Sequence, residues 1–186
     1  MATVAKDSKF TFNSSAEQLF DWEDPLLLFN GLTEHERIIN TAAKDFCEGE
    51  LLPGIILAHR NEKFDRSIMD KFGLNGFLGS TIPESYGGAG LSYVDYGLIA
   101  KNVEAVDSGY RSAMSVQSSL VMHPIYAFGT ESQKLKYLPD LASGEKIGSF
   151  GLTEADHGSD PSGMQTSAKA TSGGYILNGS KMWISN

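Results

Sequence analysis

The sequence predicts a mainly α-helical domain that passes, late in the chain, into the first strands of a β domain, so that the class overall is α+β. Three observations carry this. Apolar residues recur at helical spacing between capping signals from Thr33 to Leu138. After Gly144 that period gives way to a short apolar run and then to alternation. Ser172-Gly-Gly174 and Asn178-Gly179 then read as tight turns, the second a strong hairpin signal.

Met1 to Ala16 is polar and aperiodic and reads as a loose tail that ends near residue 20. In Phe20-Asp-Trp-Glu-Asp-Pro25, Phe20 and Trp22 are expected to anchor on the body and Pro25 to stop any helix. Thr33-Glu-His-Glu36 has the form of a capping box, and Ile38, Ile39, Ala42, Ala43, Phe46 and Cys47 follow on one helical face. This first helix is expected to reach about Glu50 and to end at Pro53, with a short turn over Ile55–His59. A second helix is expected over Asp65–Leu74, with Ile68, Met69 and Phe72 inward and Gly73 or Gly76 past its end.

The stretch 77–90 is rich in glycine but lacks Gly-Lys-Ser/Thr and any dinucleotide fingerprint, so it reads as a connection between helices. Ser92, with Asp95 three residues on, starts a third helix that runs to about Val106. Asp107 or Ser108 caps a fourth, from Gly109 to about Met122. Pro124 is expected to interrupt there, leaving Ile125–Phe128 as a turn closed by Gly129. Thr130-Glu-Ser-Gln133 opens the last helix, through Leu138. Strands are then expected at Ile147–Leu152, Gln165–Ala170, Tyr175–Leu177 and Lys181–Ser185, the last two joined by Asn178-Gly179. The domains expected are a tail (1–20), a helical domain (21–146) and the start of a β domain (147–186), with the chain ending inside an unfinished sheet.

Composition narrows the function. With 186 residues, 41% hydrophobic and 20% charged, the chain can fill a core and does not read as disordered. A net charge of −8 argues against nucleic-acid binding, which needs clustered positive charge. The single cysteine, Cys47, forms no internal disulfide and reads as a buried, inert thiol. The histidines at 35, 59, 123 and 157 show no metal-ligand spacing, so no metal is expected. No apolar run is long enough to span a bilayer. The first residues lack a signal-peptide core and carry Asp7 but no arginine, so a cytoplasmic location is the simplest expectation, or the mitochondrial matrix in a eukaryote.

Two stretches carry chemistry. Phe150-Gly-Leu-Thr-Glu-Ala-Asp-His-Gly-Ser-Asp-Pro-Ser162 leads an apolar run into a loop of hydroxyls and glycine-freed amides, suited to a flat ligand's polar edge or a phosphate. Composition alone makes it an ordinary strand and solvated turn. The second is Arg111, placed in the first turn of a helix, where a cation opposes the macrodipole at a cost of about 0.3–1 kcal/mol. Arg111, with Ser112 beside it, could hold a carboxylate bidentately, or it could simply pair with Asp107 or Glu104. Trp183, taken by itself, is a core aromatic.

Gly151-Leu-Thr-Glu154 followed by Gly158-Ser-Asp160 resembles the signature of acyl-CoA dehydrogenases, although His157 stands where that family usually has a small residue. Pro83-Glu-Ser-Tyr-Gly-Gly88 resembles a loop the family places near bound substrate. Gly129-Thr-Glu-Ser-Gln-Lys-Leu-Lys-Tyr-Leu-Pro139 also matches a family segment. Longer matches, over Phe20–Pro25, Val106–Pro124 and Phe150–Glu154, resemble the glutaryl-CoA dehydrogenases within it.

The resemblance implies FAD-dependent oxidation of the Cα–Cβ bond of an acyl-CoA, with glutaryl-CoA decarboxylated to crotonyl-CoA, as in lysine and tryptophan degradation. It implies an electron-transfer flavoprotein as acceptor and a homotetramer. Phe150, Gly151, Leu152, Thr153, Glu154, Gly158, Ser159, Trp183, Ile184 and Ser185 would then bind the cofactor. Arg111, Ser112 and Ser159 would bind substrate, with Glu104 orienting Arg111. The family's catalytic base, a glutamate of a C-terminal helical domain, is expected beyond Asn186, so this chain supplies no catalytic residue and reads as an N-terminal part that is inactive alone. Other readings are a non-catalytic helical module associating with intact subunits, and an acyl-CoA oxidase.

Overall fold

The structure, a computed structural model, describes residues 20–22 and 24–186. The chain divides into a unit ending at Thr33 and a body from Glu34 to Asn186. In the first unit the Asp24 carboxylate accepts the backbone N–H groups of Leu28 and Phe29, both at 2.9 Å, and so holds the 3-10 turn Leu28–Gly31. Phe20 and Trp22, expected as anchors, are exposed. Residues 1–19 of the expected tail lie outside the described residues.

The body begins with α1 (Glu34–Phe46), a π turn (Cys47–Leu51) and α2 (Leu52–Arg60) in one continuous rod. Pro53 therefore does not end the first helix. The Leu52 N–H reaches back five residues to the Cys47 carbonyl. The wider turn moves away the carbonyl a proline ring would strike, and the missing N–H falls where the ladder is already changing. After α3 (Ser67–Leu74) come α4 (Tyr93–Val106), capped by Ser92 and Asp95 in a reciprocal box, and α5 (Ser108–Ser115), capped by Asp107. A second π turn (Val116–Met122) joins α5 to α6 (His123–Phe128), and His123 again bonds five residues back, to Ser118, just before a proline. Pro124 is thus accommodated rather than disruptive. The last helix, α7 (Glu131–Ser143), has the expected Thr130–Gln133 box but runs past Pro139, because Leu138, Leu141 and Ala142 are all buried on its inner face.

Two apolar clusters fill the body. Phe72, Met69, Ile99, Val103, Tyr110 and Met114 belong to the larger, where α1, α3, α4 and α5 meet. Ile82, Met122, Leu138, Leu141 and Ala142 form the smaller, under α6 and α7. Between them α3 touches the end of α7 so closely that a Cβ on Gly73 would stand 2.1 Å from the Ser143 carbonyl oxygen. Gly73 therefore lies inside α3, and Gly76, in the left-handed region, follows its end.

Past α7 the chain pairs as one antiparallel hairpin, β1 (Ser167–Thr171) with β2 (Gly174–Asn178). Its register sets Thr171 opposite Gly174, so the turn is Ser172-Gly173 and not Asn178-Gly179. Neither Ile147–Leu152 nor Lys181–Ser185 forms a strand. The first is committed to the helices instead, since Ile147 packs on the larger cluster and the Gly148 N–H donates to Gln117. The second is drawn to the loop at 152–154 by hydrogen bonds from Lys181 and Met182. Among the described residues no helix is long and apolar enough to cross a membrane.

Candidate functional site

Gln117 sets the entry to the site. It is fully buried in the second π turn. Its amide nitrogen donates to the carbonyls of Leu141 and Lys146, both at 2.8 Å, and its oxygen accepts Gly148 N–H at 2.9 Å. All of its amide's reach goes into fastening the chain after α7 to the helices. From that anchor the backbone runs outward as Phe150 to Thr153.

The same π turn walls a cleft of about 250 Å³. Val116 and Leu120 form one side, Phe150, Leu152 and Thr153 the second, and Trp183, Ile184 and Ser185 the third. Lys181 Nζ donates to the Leu152 carbonyl at 2.8 Å, and Met182 N–H donates to the Thr153 carbonyl at 2.9 Å. Two stretches that lie about thirty residues apart in sequence thus meet side by side. The Thr153 and Ser185 hydroxyls have no protein partner among the described residues, so the cleft offers apolar walls with free polar groups at its edge. Trp183 is 86% exposed and has φ 60°, a conformation that costs a bulky residue about 1–3 kcal/mol.

Glu154 points the other way. It is 7% exposed, and its oxygens accept Gln165 N–H at 2.7 Å, Thr166 N–H at 2.9 Å and Lys181 Nζ at 2.9 Å. The hydrogen bonds from Thr166, Gln165 and Lys181 hold its carboxyl far below the ordinary range. Gly158 and Ser159 lie on the exposed outside of the loop and do not line the cleft. The departure from the signature at His157 has a local accommodation: the imidazole lies over Gly163, where a Cβ would meet the ring at 2.5 Å.

Arg111, in α5, pairs with Glu104 of α4 at 2.5 Å, and Ser108 donates to the other Glu104 oxygen at 2.6 Å. These two donors, Ser108 first, lower the Glu104 pKa. Asp107 is not the partner, because its carboxylate is engaged by the N–H groups of Gly109 and Tyr110 as the α5 cap. The hydroxyl that Arg111 reaches is Ser115, at 3.5 Å from Nη1, and not the adjacent Ser112. Ser112 faces a second cavity of about 530 Å³ together with Phe64, Met69, Ala113, Ile147 and Ser185. Ser185 lines both cavities.

Sequence reasoning passed over Ser115, Gln117 and Lys181. The signal for Ser115 was its place one helical turn after Arg111. Nothing local marks Gln117 or Lys181. Cys47 is buried, which pushes its thiol up to about 11, so no reactive thiolate forms there. Among the described residues, no group of three His, Cys, Asp or Glu is arranged to hold a metal.

Comparison with known proteins gives this geometry a context. Residues 33–145 match the family model "Acyl-CoA dehydrogenase, N-terminal domain", and residues 149–186 match "Acyl-CoA dehydrogenase, middle domain". An acyl-CoA dehydrogenase of Bacillus subtilis is 36% identical over 155 residues, 83% of this chain and 41% of the relative. The chain therefore spans about two fifths of the length of that relative. A glutaryl-CoA dehydrogenase of Mycobacterium smegmatis, solved in complex with FADH2, superposes with a TM-score of 0.82 at 42% identity, covering 86% of this chain and 41% of that one. A butyryl-CoA dehydrogenase of Megasphaera elsdenii superposes at 0.77 with 37% identity, covering 82% and 41%.

Proposed function

The chain belongs to the acyl-CoA dehydrogenase family, and from that premise we propose that it contributes the helical domain and one cofactor wall of an FAD-dependent enzyme acting on glutaryl-CoA. The observation that carries the reading is the convergence of 150–153 and 183–185 on one cleft. The donor set suits a flavin ring: Phe150, Leu152 and Ile184 offer apolar contact, Trp183 a stacking face, and Thr153 and Ser185 free hydroxyls for a polar edge. FAD, when bound, supplies the acceptor for a hydride leaving the acyl Cβ. The protein's part is to exclude water with the apolar walls and to orient the ring by hydrogen bonds.

Glutaryl-CoA is favoured over a plain acyl-CoA by Arg111. Its guanidinium is oriented by Glu104 yet keeps donors free, beside a serine hydroxyl. A carboxylate at the far end of the acyl chain would complete that group of donors. The Glu154 carboxylate is engaged by Gln165, Thr166 and Lys181, so it is not the base that takes the Cα proton. The reading extends to an electron-transfer flavoprotein as acceptor, a homotetrameric assembly and decarboxylation to crotonyl-CoA.

The test is an assay of the gene product, carried to its natural stop codon, with glutaryl-CoA and butyryl-CoA and an artificial electron acceptor. The reading expects turnover of glutaryl-CoA with retained flavin absorbance, and loss of the preference for glutaryl-CoA in Arg111→Ala with FAD content unchanged. An unchanged ratio of glutaryl-CoA to butyryl-CoA turnover in Arg111→Ala would refute the carboxylate assignment.

A further inference from the structure

We propose that Glu154 and Lys181 are the positioning pair of the cleft, and that Glu154 acts through the backbone it fastens rather than by touching a cofactor. The purpose of the pair rests on the flavin reading above; its geometry does not.

Glu154 is the one buried residue among those from Ile147 onward, and every neighbour that might have packed around it is partly or fully exposed. Past Ile147, which packs on the larger cluster, no apolar core fixes this part of the chain, so fixed polar bonds must. Glu154 receives donors from Gln165, Thr166 and Lys181. Lys181, itself mostly covered, gives a further hydrogen to the Leu152 carbonyl and lies 3.7 Å from the Met164 sulfur. One ion pair thereby ties together 152–154, 164–166 and 181. Removing either partner leaves the other largely desolvated and unpaired, which is the costly way to break such a pair.

The pair also explains Trp183. A tryptophan held at φ 60° returns to extended backbone unless both flanks are fixed. On its N-terminal side the flank is Lys181 with Met182, whose N–H is bound to the Thr153 carbonyl. On its C-terminal side Asn186 Nδ2 donates to the carbonyls of Ala113 at 3.2 Å and Gly148 at 3.4 Å. The indole is thus presented at the cleft mouth by anchors two and three residues away.

The test uses amide exchange measured by NMR on the 186-residue chain. Lys181→Met and Glu154→Gln are expected to speed exchange at Thr166 and Met182 by at least about tenfold, with Ile99 and Val103 in the helical core unchanged. In a Trp183→Gly background, where glycine accepts the left-handed conformation freely, Lys181→Met should accelerate Met182 less. Lys181→Arg should restore part of the protection. Unchanged exchange at Thr166 and Met182, or equal acceleration in the core, overturns the proposal. A second arm titrates FAD against Trp183 emission in a Trp22→Phe chain. Quenching that Lys181→Met abolishes supports the positioning role, and quenching that survives it overturns that role. No quenching in the parent chain leaves the flavin reading to the turnover assay of the gene product and the pair to the exchange result.

Discussion

The helices from α1 to α7 and the segment after Ile147 are stabilised by opposite means. The helices bury two apolar clusters and, apart from Asp95 in the α4 capping box, place their charges outside. The later segment buries a single carboxylate, while the apolar side chains of its hairpin, Tyr175, Ile176 and Leu177, stay exposed. The difference teaches that the body derives its stability from apolar area, which is diffuse and forgiving, whereas the cleft derives its shape from a few directional bonds. A binding wall needs the second kind of support, because packing fixes volume better than it fixes the direction of a hydroxyl or an indole.

The sharpest way to break the comparison is in the helices. Phe72→Ala removes a fully buried ring that sits 6.0 Å from both Phe46 and Phe77, and should cost about 3–5 kcal/mol in urea unfolding. A smaller loss would mean that the helical core relaxes far more than its packing suggests. Next comes the joint between the two regions. Gln117→Ala leaves the Leu141 and Lys146 carbonyls and the Gly148 N–H without their partner, at about 1–3 kcal/mol. Amide exchange should then speed up at Gly148 more than at Ile99.

The smallest expected effect is the most selective. Because the folded Glu154 carboxyl titrates far below the ordinary 4.5, its stabilisation is complete above that value, declines below it, and is lost only as pH falls through the much lower folded value. Exchange protection at Gln165 and Thr166 should therefore weaken progressively as pH is taken below 4.5, with no abrupt loss in mild acid, while the helical circular dichroism holds. Loss of both together would show that the two regions share one cooperative unit.

Much of the helical body was legible in the sequence, for a physical reason. Ser92 with Asp95, and Thr130 with Gln133, form the capping boxes their spacing announced, and Ile68, Met69 and Phe72 face inward as expected. Local bonds and a 3.6-residue period leave local marks. The prolines misled because the remedy at Pro53 and Pro124, a π turn just upstream, is not written in any neighbouring residue, and at Pro139 burial outweighed a broken bond. Asn178-Gly179 misled because a turn signal says nothing about which strand will be the partner. The meeting of Phe150–Thr153 with Trp183–Ser185 was anticipated by resemblance and not by pattern, since the Lys181 and Met182 bonds that join them cross about thirty residues.

The π turn at Val116–Met122 has one more consequence. Upstream of it the rod presents Tyr110, Ala113 and Met114 to the larger cluster; its last residue, Met122, and Ile125 beyond it face the smaller. The turn works as a frameshift inside a helix. Delete one residue there, Ser119 for instance, and the regular ladder closes again with everything beyond it still in phase, so Met122 keeps its core; delete one in α5 instead, where no wide turn takes up the change, and everything beyond rotates by about 100°. Insertions and deletions elsewhere in a protein settle in surface loops. Here the place where a homologous helix can differ in length by one lies mid-rod, and an alignment that pushes the gap out to Gly129 would mispair every residue of α6.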